Sequence, residues 1–373
     1  MTNTSLVLLL IFALAGSAPA EDGFRPLFNG KDLTGWVVVN TAPSTWHFDE
    51  AGLLVCSGKP IGEIRTDRMY QNFVLELEWR HLVPKGNAGV FIWADDITAR
   101  GQPFHRGIEV QVLENSYGNT QSHTTHGDIF PIHGATMTPV NGRGGGRAFP
   151  VENRSNPSPE WNHYRIECRD GSISLAVNGK VVTRGEQCSP RKGYICLESE
   201  GGVVNYRNVR IQELPETPIA PEHVAIANRA YRCLYSGVDF SGWKTADGAD
   251  PGTAGWTVND WILSAGKGAA ALLSDESFEG DLGFIVDVKL GKDSGVPRIS
   301  VRGALVEIDP AKLEPVGKWN RIEGSWIGDQ FSLQVNGKPL EGAVDLSGLS
   351  ERGPIQLISA GPVDWANIYV RRP

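Results

Sequence analysis

Carboxylates and other polar residues at alternate positions are the parts of this chain best suited to moving protons. Glu109 and Gln111 stand two apart in Gly107-Ile108-Glu109-Val110-Gln111, Glu78 and Arg80 two apart in Leu75-Glu76-Leu77-Glu78-Trp79-Arg80, and Arg165 and Glu167 two apart in Tyr164-Arg165-Ile166-Glu167. A polar residue at every second position marks a strand with one packed and one open face. If these strands share a sheet, Glu78, Arg80, Glu109, Gln111, Arg165, Glu167 and Glu198 line one outward surface, where carboxyl groups can serve as general acid and base. The plainer alternative for each is a solvated strand residue paired across the sheet, as Glu78 would be with Arg80 or Arg165.

A second group of candidates lies between His105 and Phe149, a long Gly-, Thr- and His-rich insertion that carries His123, His126, Asp128 and His133. Loops of this length in compact domains usually serve function. A histidine there can act as acid, base or metal ligand near neutral pH, and His126 or Asp128 is the expected acid-base residue. A divalent cation is a candidate ligand, although the spacing matches no metal motif and no other cofactor is implied. Asn141-Gly142-Arg143-Gly144-Gly145-Gly146-Arg147 lacks the Lys-Ser/Thr ending of a phosphate loop and is read as a mobile lid.

The elements that must hold these residues are written twice. Leu27-Phe28-Asn29-Gly30-Lys31-Asp32-Leu33-Thr34-Gly35-Trp36 returns as Leu234-Tyr235-Ser236-Gly237-Val238-Asp239-Phe240-Ser241-Gly242-Trp243. Trp161-Asn162 followed by Val177-Asn178-Gly179-Lys180 returns as Trp319-Asn320 followed by Val335-Asn336-Gly337-Lys338 at identical spacing. The Asn-Gly pairs predict hairpins, because both central positions of a type I′ turn need φ > 0. Many short alternating strands imply sheets packed face to face, so the fold class expected is all-β, two tandem sandwiches. A Pro-rich connector divides them: 21–214 as the first sandwich, 215–228 as linker and 229–373 as the second. Aligning Gly303 with Gly107 puts Leu305 where Glu109 stands and Asp287 near Glu78, so the second copy is expected to be non-catalytic.

Composition agrees and excludes other classes. The 373 residues include 44 Gly, 23 Pro and 11 Trp against three Met, which suits strands and turns more than long helices. Thirty-five basic against 43 acidic residues give a net charge of −8, which argues against a nucleic-acid partner. The apolar run Leu6 to Ala15 followed by Ala18-Pro19-Ala20 is expected to be an export signal spanning 1–20, with no membrane anchor after it. Export permits disulfides among Cys56, Cys168, Cys188, Cys196 and Cys233, with Cys188 to Cys168 or Cys196 the first pair to test and buried free thiols the alternative.

Phe24-x-x-Leu27-Phe28-Asn29-Gly30-Lys31-Asp32-Leu33-x-Gly35-Trp36, Gly86-Asn87-Ala88-Gly89-Val90-Phe91, Gly107-Ile108-Glu109-Val110-Gln111 and Trp161-Asn162 with Val177-Asn178-Gly179 together resemble the 3-keto-disaccharide hydrolase family, long described as a domain of unknown function. The resemblance covers about Phe24 to Leu214, and the second half is a degenerate copy. It implies a concanavalin A-like jelly roll and a periplasmic or extracellular enzyme that cleaves glycosides carrying a ketone at C3. Such a ketone acidifies the C2 proton, so β-elimination followed by hydration is one route and direct displacement between two carboxylates another. Under this resemblance Glu109 and Glu78 are catalytic candidates and Arg65 holds a sugar oxygen, with a surface ion pair its alternative; Gln111 is a candidate to orient a hydroxyl, Arg80 and Arg165 to line the site, and Trp93 either to stack on a sugar face or to belong to the core. The competing class is a lectin-like binding module on the same fold, with a carbohydrate partner and no catalysis.

Overall fold

Side chains that alternate along a strand must find a second sheet to cover their apolar row, and the computed structural model shows how that is done here. It describes residues 23–117, 126–227 and 229–372, so the expected signal segment and His123 lie outside the described residues. Among the described residues the regular elements are strands and three short 3-10 turns.

In the first half, one sheet runs Thr136–Pro139, Lys180–Ser189, Ser172–Val177, Asn162–Arg169, Phe73–His81, Val204–Glu213, Leu54–Cys56 and Trp46–Phe48, with Arg25–Pro26 added beside Val204–Glu213. The facing sheet runs Trp36–Val39, Gly62–Thr66, Tyr194–Ser199, Gly89–Ala94, Gly107–Gln111 and Ile129–Ile132. Leu75, Leu77, Trp79, Tyr164 and Ile166 from the first meet Ile64, Val90, Ile92, Ile108, Val110 and Leu197 from the second in one buried core. The second half repeats this plan with its own core around Phe284, Val286, Val288, Ile299, Val306, Leu357 and Trp365. The all-β tandem sandwich expected from the repeat is the fold.

The duplicated Asn-Gly hairpins form as their sequence predicts. Asn178 and Gly179 have φ of 46° and 86°, Asn336 and Gly337 of 53° and 75°. Each turn Asn also explains the Trp-Asn motif upstream: Asn178 Oδ1 accepts from the His163 backbone N–H at 2.8 Å while its Nδ2 donates to Asn162 Oδ1 at 3.1 Å. Asn336 repeats both bonds with Arg321 and Asn320. That motif is structural.

All five cysteines are free thiols, Cys188 and its two expected partners among them; four are buried in strands and Cys233 is half-buried, so the disulfide expectation is corrected in favour of free thiols.

Candidate active site

Register decides which polar residues meet. In the Gly107-containing sheet, Glu198 lies opposite Glu63, Cys196 opposite Arg65 and Phe91, Phe91 opposite Glu109, and Gly89 opposite Gln111. The intervening Ile64, Val90, Ile108, Val110 and Leu197 point into the core, so Glu63, Arg65, Gly89, Glu109, Gln111, Cys196 and Glu198 share the outward face. Glu109 and Glu198 converge over Gly89, where an added Cβ would lie 2.9 Å from Glu109 Oε1 and 2.9 Å from Glu198 Cδ. Only a residue without a side chain leaves room for both carboxyl groups. Gly89→Ala is therefore expected to cost about 1–3 kcal/mol, the usual penalty of overpacking, read as a lower melting temperature; an unchanged melt would show that the two carboxyl groups have slack.

The face is acidic and nearly dry. Glu63 is 0 %, Glu198 1 % and Glu109 6 % exposed. Burial first, then the charges of Glu200, Glu63 and Asp128, push the Glu109 carboxyl well above the ordinary glutamate range, with Arg147 pulling the other way. Burial followed by Glu109, Glu200 and Glu63 does the same to Glu198. Burial pushes half-buried Glu200 up to about 7. Asn87 Nδ2 donates to Glu200 Oε2, and Gln111 Nε2 donates to Asn87 Oδ1 at 3.0 Å, which ties the third carboxyl to the same strands. Both carboxyl oxygens of Glu198, Oε2 of Glu63 and Nε2 of His105 are buried with no hydrogen-bond partner. Buried polar atoms are rarely left so, and a cluster of them calls for water, an ion or a polar ligand to satisfy it.

His105 covers one side of this face. Its backbone N–H donates to Glu63 Oε1 at 2.9 Å, its Nδ1 pairs with the same oxygen, and Cys196 Sγ lies 3.9 Å from that Nδ1. Among the described residues Glu63, His105 and Cys196 are the group compact enough to hold a metal ion, with ligand atoms all within 4.8 Å of one another. Burial and Glu63 push the Cys196 thiol well up, so a cation there would have to displace its proton. On the opposite side Asn87, Phe130, Arg147 and Glu200 are half-buried and give the face its opening to solvent.

The single surface expected from the alternation is in fact two. Glu78, Arg80, Arg165 and Glu167 belong to the other sheet and point away from Glu109. Glu78 accepts from Arg207 Nε and Asn208 Nδ2, each at 2.7 Å, and these bonds outweigh its burial to hold it below the ordinary range. Arg165 donates to Glu76 at 2.6 Å, and Arg80 lies 4.6 Å over the Trp161 ring. Trp93 is a core residue, 0 % exposed, and donates its Nε1–H to Gln71 O at 2.9 Å, which removes it as a sugar platform. Strand alternation would have turned it outward with Phe91, but φ of 57° at Trp93 and the extra residue its own strand carries between Phe91 and Ala94 swing the ring inward.

His126 is also displaced from the expected role. It is buried against the 154–155 backbone, with Ser155 Oγ 2.7 Å from Nδ1, and burial pushes its ring down to about 4. Asp128 is buried but reaches the site indirectly, pairing at 2.9 Å with Arg147. That arginine comes from the glycine-rich turn read as a lid, and it also lies 3.5 Å from the Phe130 ring centroid. Arg65 and Gln111 do stand on the Glu109 face; the Arg65 guanidinium is held by Asp96 O and Thr66 O at 2.9 Å each. Glu63, Glu200, Asn87 and His105 were missed as site residues. Period two alone could have found Glu200 from Glu198, and Glu63 from Arg65.

Residues 23–212 match the family model described as 3-keto-alpha-glucoside-1,2-lyase-like domain. Among solved structures, one from Parabacteroides distasonis, described provisionally as a glycosyl hydrolase, is 23% identical, covering 52% of this chain and 95% of its own, with a TM-score of 0.40. A carbohydrate-binding module from Bacillus subtilis is 12% identical, covering 48% of this chain and 96% of its own, at TM-score 0.34. A Bacillus licheniformis β-glucanase is 15% identical, covering 52% and 97%, at TM-score 0.35. Among curated proteins the chain has no match.

Proposed function

From the premise that the chain belongs to the 3-keto-alpha-glucoside-1,2-lyase-like domain family, we propose that its first sandwich cleaves 3-keto-glycosides by β-elimination and hydration, and that the protein does so after export. The observation that carries the reading is the convergence of Glu109, Glu198 and Glu200 on one face, with both Glu198 carboxyl oxygens left unpaired and all three carboxyl groups held protonated to higher pH than usual. Elimination needs a base for the C2 proton and an acid for the departing oxygen, and carboxyl groups displaced toward neutrality can serve both needs.

Glu200, displaced to about 7, takes the C2 proton. The C2 electron pair is delocalised onto the C3 oxygen as an enolate, and then forms the C1–C2 double bond as the C1–O bond breaks. Glu109, held in its acid form, gives its proton to the leaving oxygen. Arg147, near enough to act on Glu109, offsets the negative charge on the C3 oxygen. Water then adds across the double bond, hydroxyl to C1 and proton to C2, so the sum is hydrolysis.

The test is to incubate the protein with 3-keto-lactose or 3-keto-trehalose in D2O. Released monosaccharide carrying deuterium at C2 is the expected result. Release with no deuterium at C2 would replace elimination by direct displacement. Binding without release would favour the lectin-like module.

A further inference from the structure

We infer that the second sandwich positions His105 in the first, by gripping the tip of the two-stranded arm that carries it. The inference rests on the proposal that the Glu63, Glu109 and Glu198 face is the reaction site. The arm leaves Gly89–Ala94, turns at residues 99–102 and returns into Gly107–Gln111; Asp95 N–H to Arg106 O at 3.0 Å and Ala99 N–H to Phe104 O at 2.9 Å hold its two sides together. His105 lies on the returning side, its ring against Glu63.

The tip is held by the outward face of the second half's long sheet. Asp287 Oδ2 accepts from the Gly101 N–H at 2.7 Å. Asn367 Nδ2 donates to Ala99 O at 3.2 Å and Gln102 O at 3.0 Å, and Arg321 donates to Thr98 O at 2.9 Å. The Thr98 hydroxyl meets the Tyr369 hydroxyl at 2.9 Å. Asp287 and Asn367 are both 0 % exposed, and Val39 and Ile97 pack beside them on Ile285 and Tyr369. A free arm of this kind would sample many positions, and with it the ring that packs on Glu63, whose charge acts on Glu109 and Glu198; a displacement of about 1 Å passed on to a reacting group can cost roughly 100-fold in rate.

The grip is a reuse of the duplicated fold. In register, Asp287 lies opposite Arg321 as Glu78 lies opposite His163. Asn367 donates to Asp287 at 2.8 Å as Asn208 donates to Glu78 at 2.7 Å. The first copy leaves this carboxylate–amide pair at the surface, bonded also to Arg207. In the second copy the shorter Asp287 takes a backbone N–H from the arm. Gly101, at φ +68°, is where the fit is tightest, because a Cβ there would run into the Trp319 ring.

Gly101→Ala and Thr98→Val test the grip without touching any carboxyl group of the site. Each full-length variant is followed by the His105 ring resonances of histidine-labelled protein, assigned with His105→Gln, and by kcat and KM on 3-keto-lactose. Gly101→Ala is expected to shift or broaden the His105 signals and lower kcat at least tenfold, with KM within about twofold; Thr98→Val should do the same to a smaller degree. Folded variants with His105 signals and kcat unchanged overturn the inference. So does a fall in kcat that tracks loss of folded protein while the His105 signals stay in place. Should the wild type turn over no keto-glycoside, the site proposal fails, and the His105 signals still decide whether the second half sets that ring's position.

Discussion

Glu109→Gln is expected to keep the fold and lose roughly 100- to 10,000-fold in turnover of a 3-keto-disaccharide, the span usual for removal of a general acid or base. Glutamine fills the same volume beside Gly89 and still offers a hydrogen-bond donor, so packing is preserved. What it cannot do is release a proton to a leaving oxygen. The carboxyl it replaces is raised by burial and by Glu200, Glu63 and Asp128. A raised group contributes stability that is present below its unfolded value and lost as pH rises through its folded value. The neutral amide never suffers that loss, so the variant should melt no lower than wild type at pH 8. Turnover within threefold of wild type would remove Glu109 from the mechanism, and a large drop in melting temperature would show that the carboxylate has a structural partner.

The fold was legible because its signals are local. Period two, the Asn-Gly turns and the repeated Leu-Phe-Asn-Gly segment each act within a few residues, and the second copy bears them out by repeating the strand order apart from one edge strand of each sheet. The site was legible only by halves. Alternation separates a strand's inward from its outward residues, but both sheets of a sandwich have an outward face, and nothing local says which sheet a strand joins. Glu78 and Glu109 therefore looked alike until pairing put Phe73–His81 beside Asn162–Arg169 and Gly107–Gln111 beside Gly89–Ala94. His105 was hidden for a different reason. It bears on Glu63, 42 positions earlier in the chain, and its arm is oriented by contacts from the second half.

The loss of the site in the second copy follows the same geometry. Leu305 lies opposite Ser300 as Glu109 lies opposite Phe91, and Ile358 pairs with Arg298 on the strand corresponding to Tyr194–Ser199. Where the first sheet gathers carboxyl groups, the second sets a leucine and an isoleucine. Its other sheet kept a buried acid, Asp287, and turned it to holding the arm.

Glu200→Gln separates the base from the acid. Wild-type activity should rise with pH through about 7 as the Glu200 carboxyl ionises, and fall at higher pH as Glu109 loses the proton it must donate. Glutamine keeps an acceptor for Asn87 but has no basic form near neutrality, so kcat/KM should drop roughly 100- to 10,000-fold and the acid limb of the profile should vanish. The stability effect runs the opposite way. Burial raises this group from 4.5 to about 7, so its contribution is fully present below pH 4.5 and is lost as pH rises through 7. The loss is about 3.5 kcal/mol at most at roughly 1.4 kcal/mol per unit. The variant should therefore gain on wild type in melting temperature between pH 5 and 8 while losing activity over the same range. That opposition marks a carboxyl held in an unfavourable setting for its chemistry. A variant that keeps the acid limb, or whose melting temperature parallels wild type across that range, would place the base elsewhere on the face, with Glu198 next to be replaced.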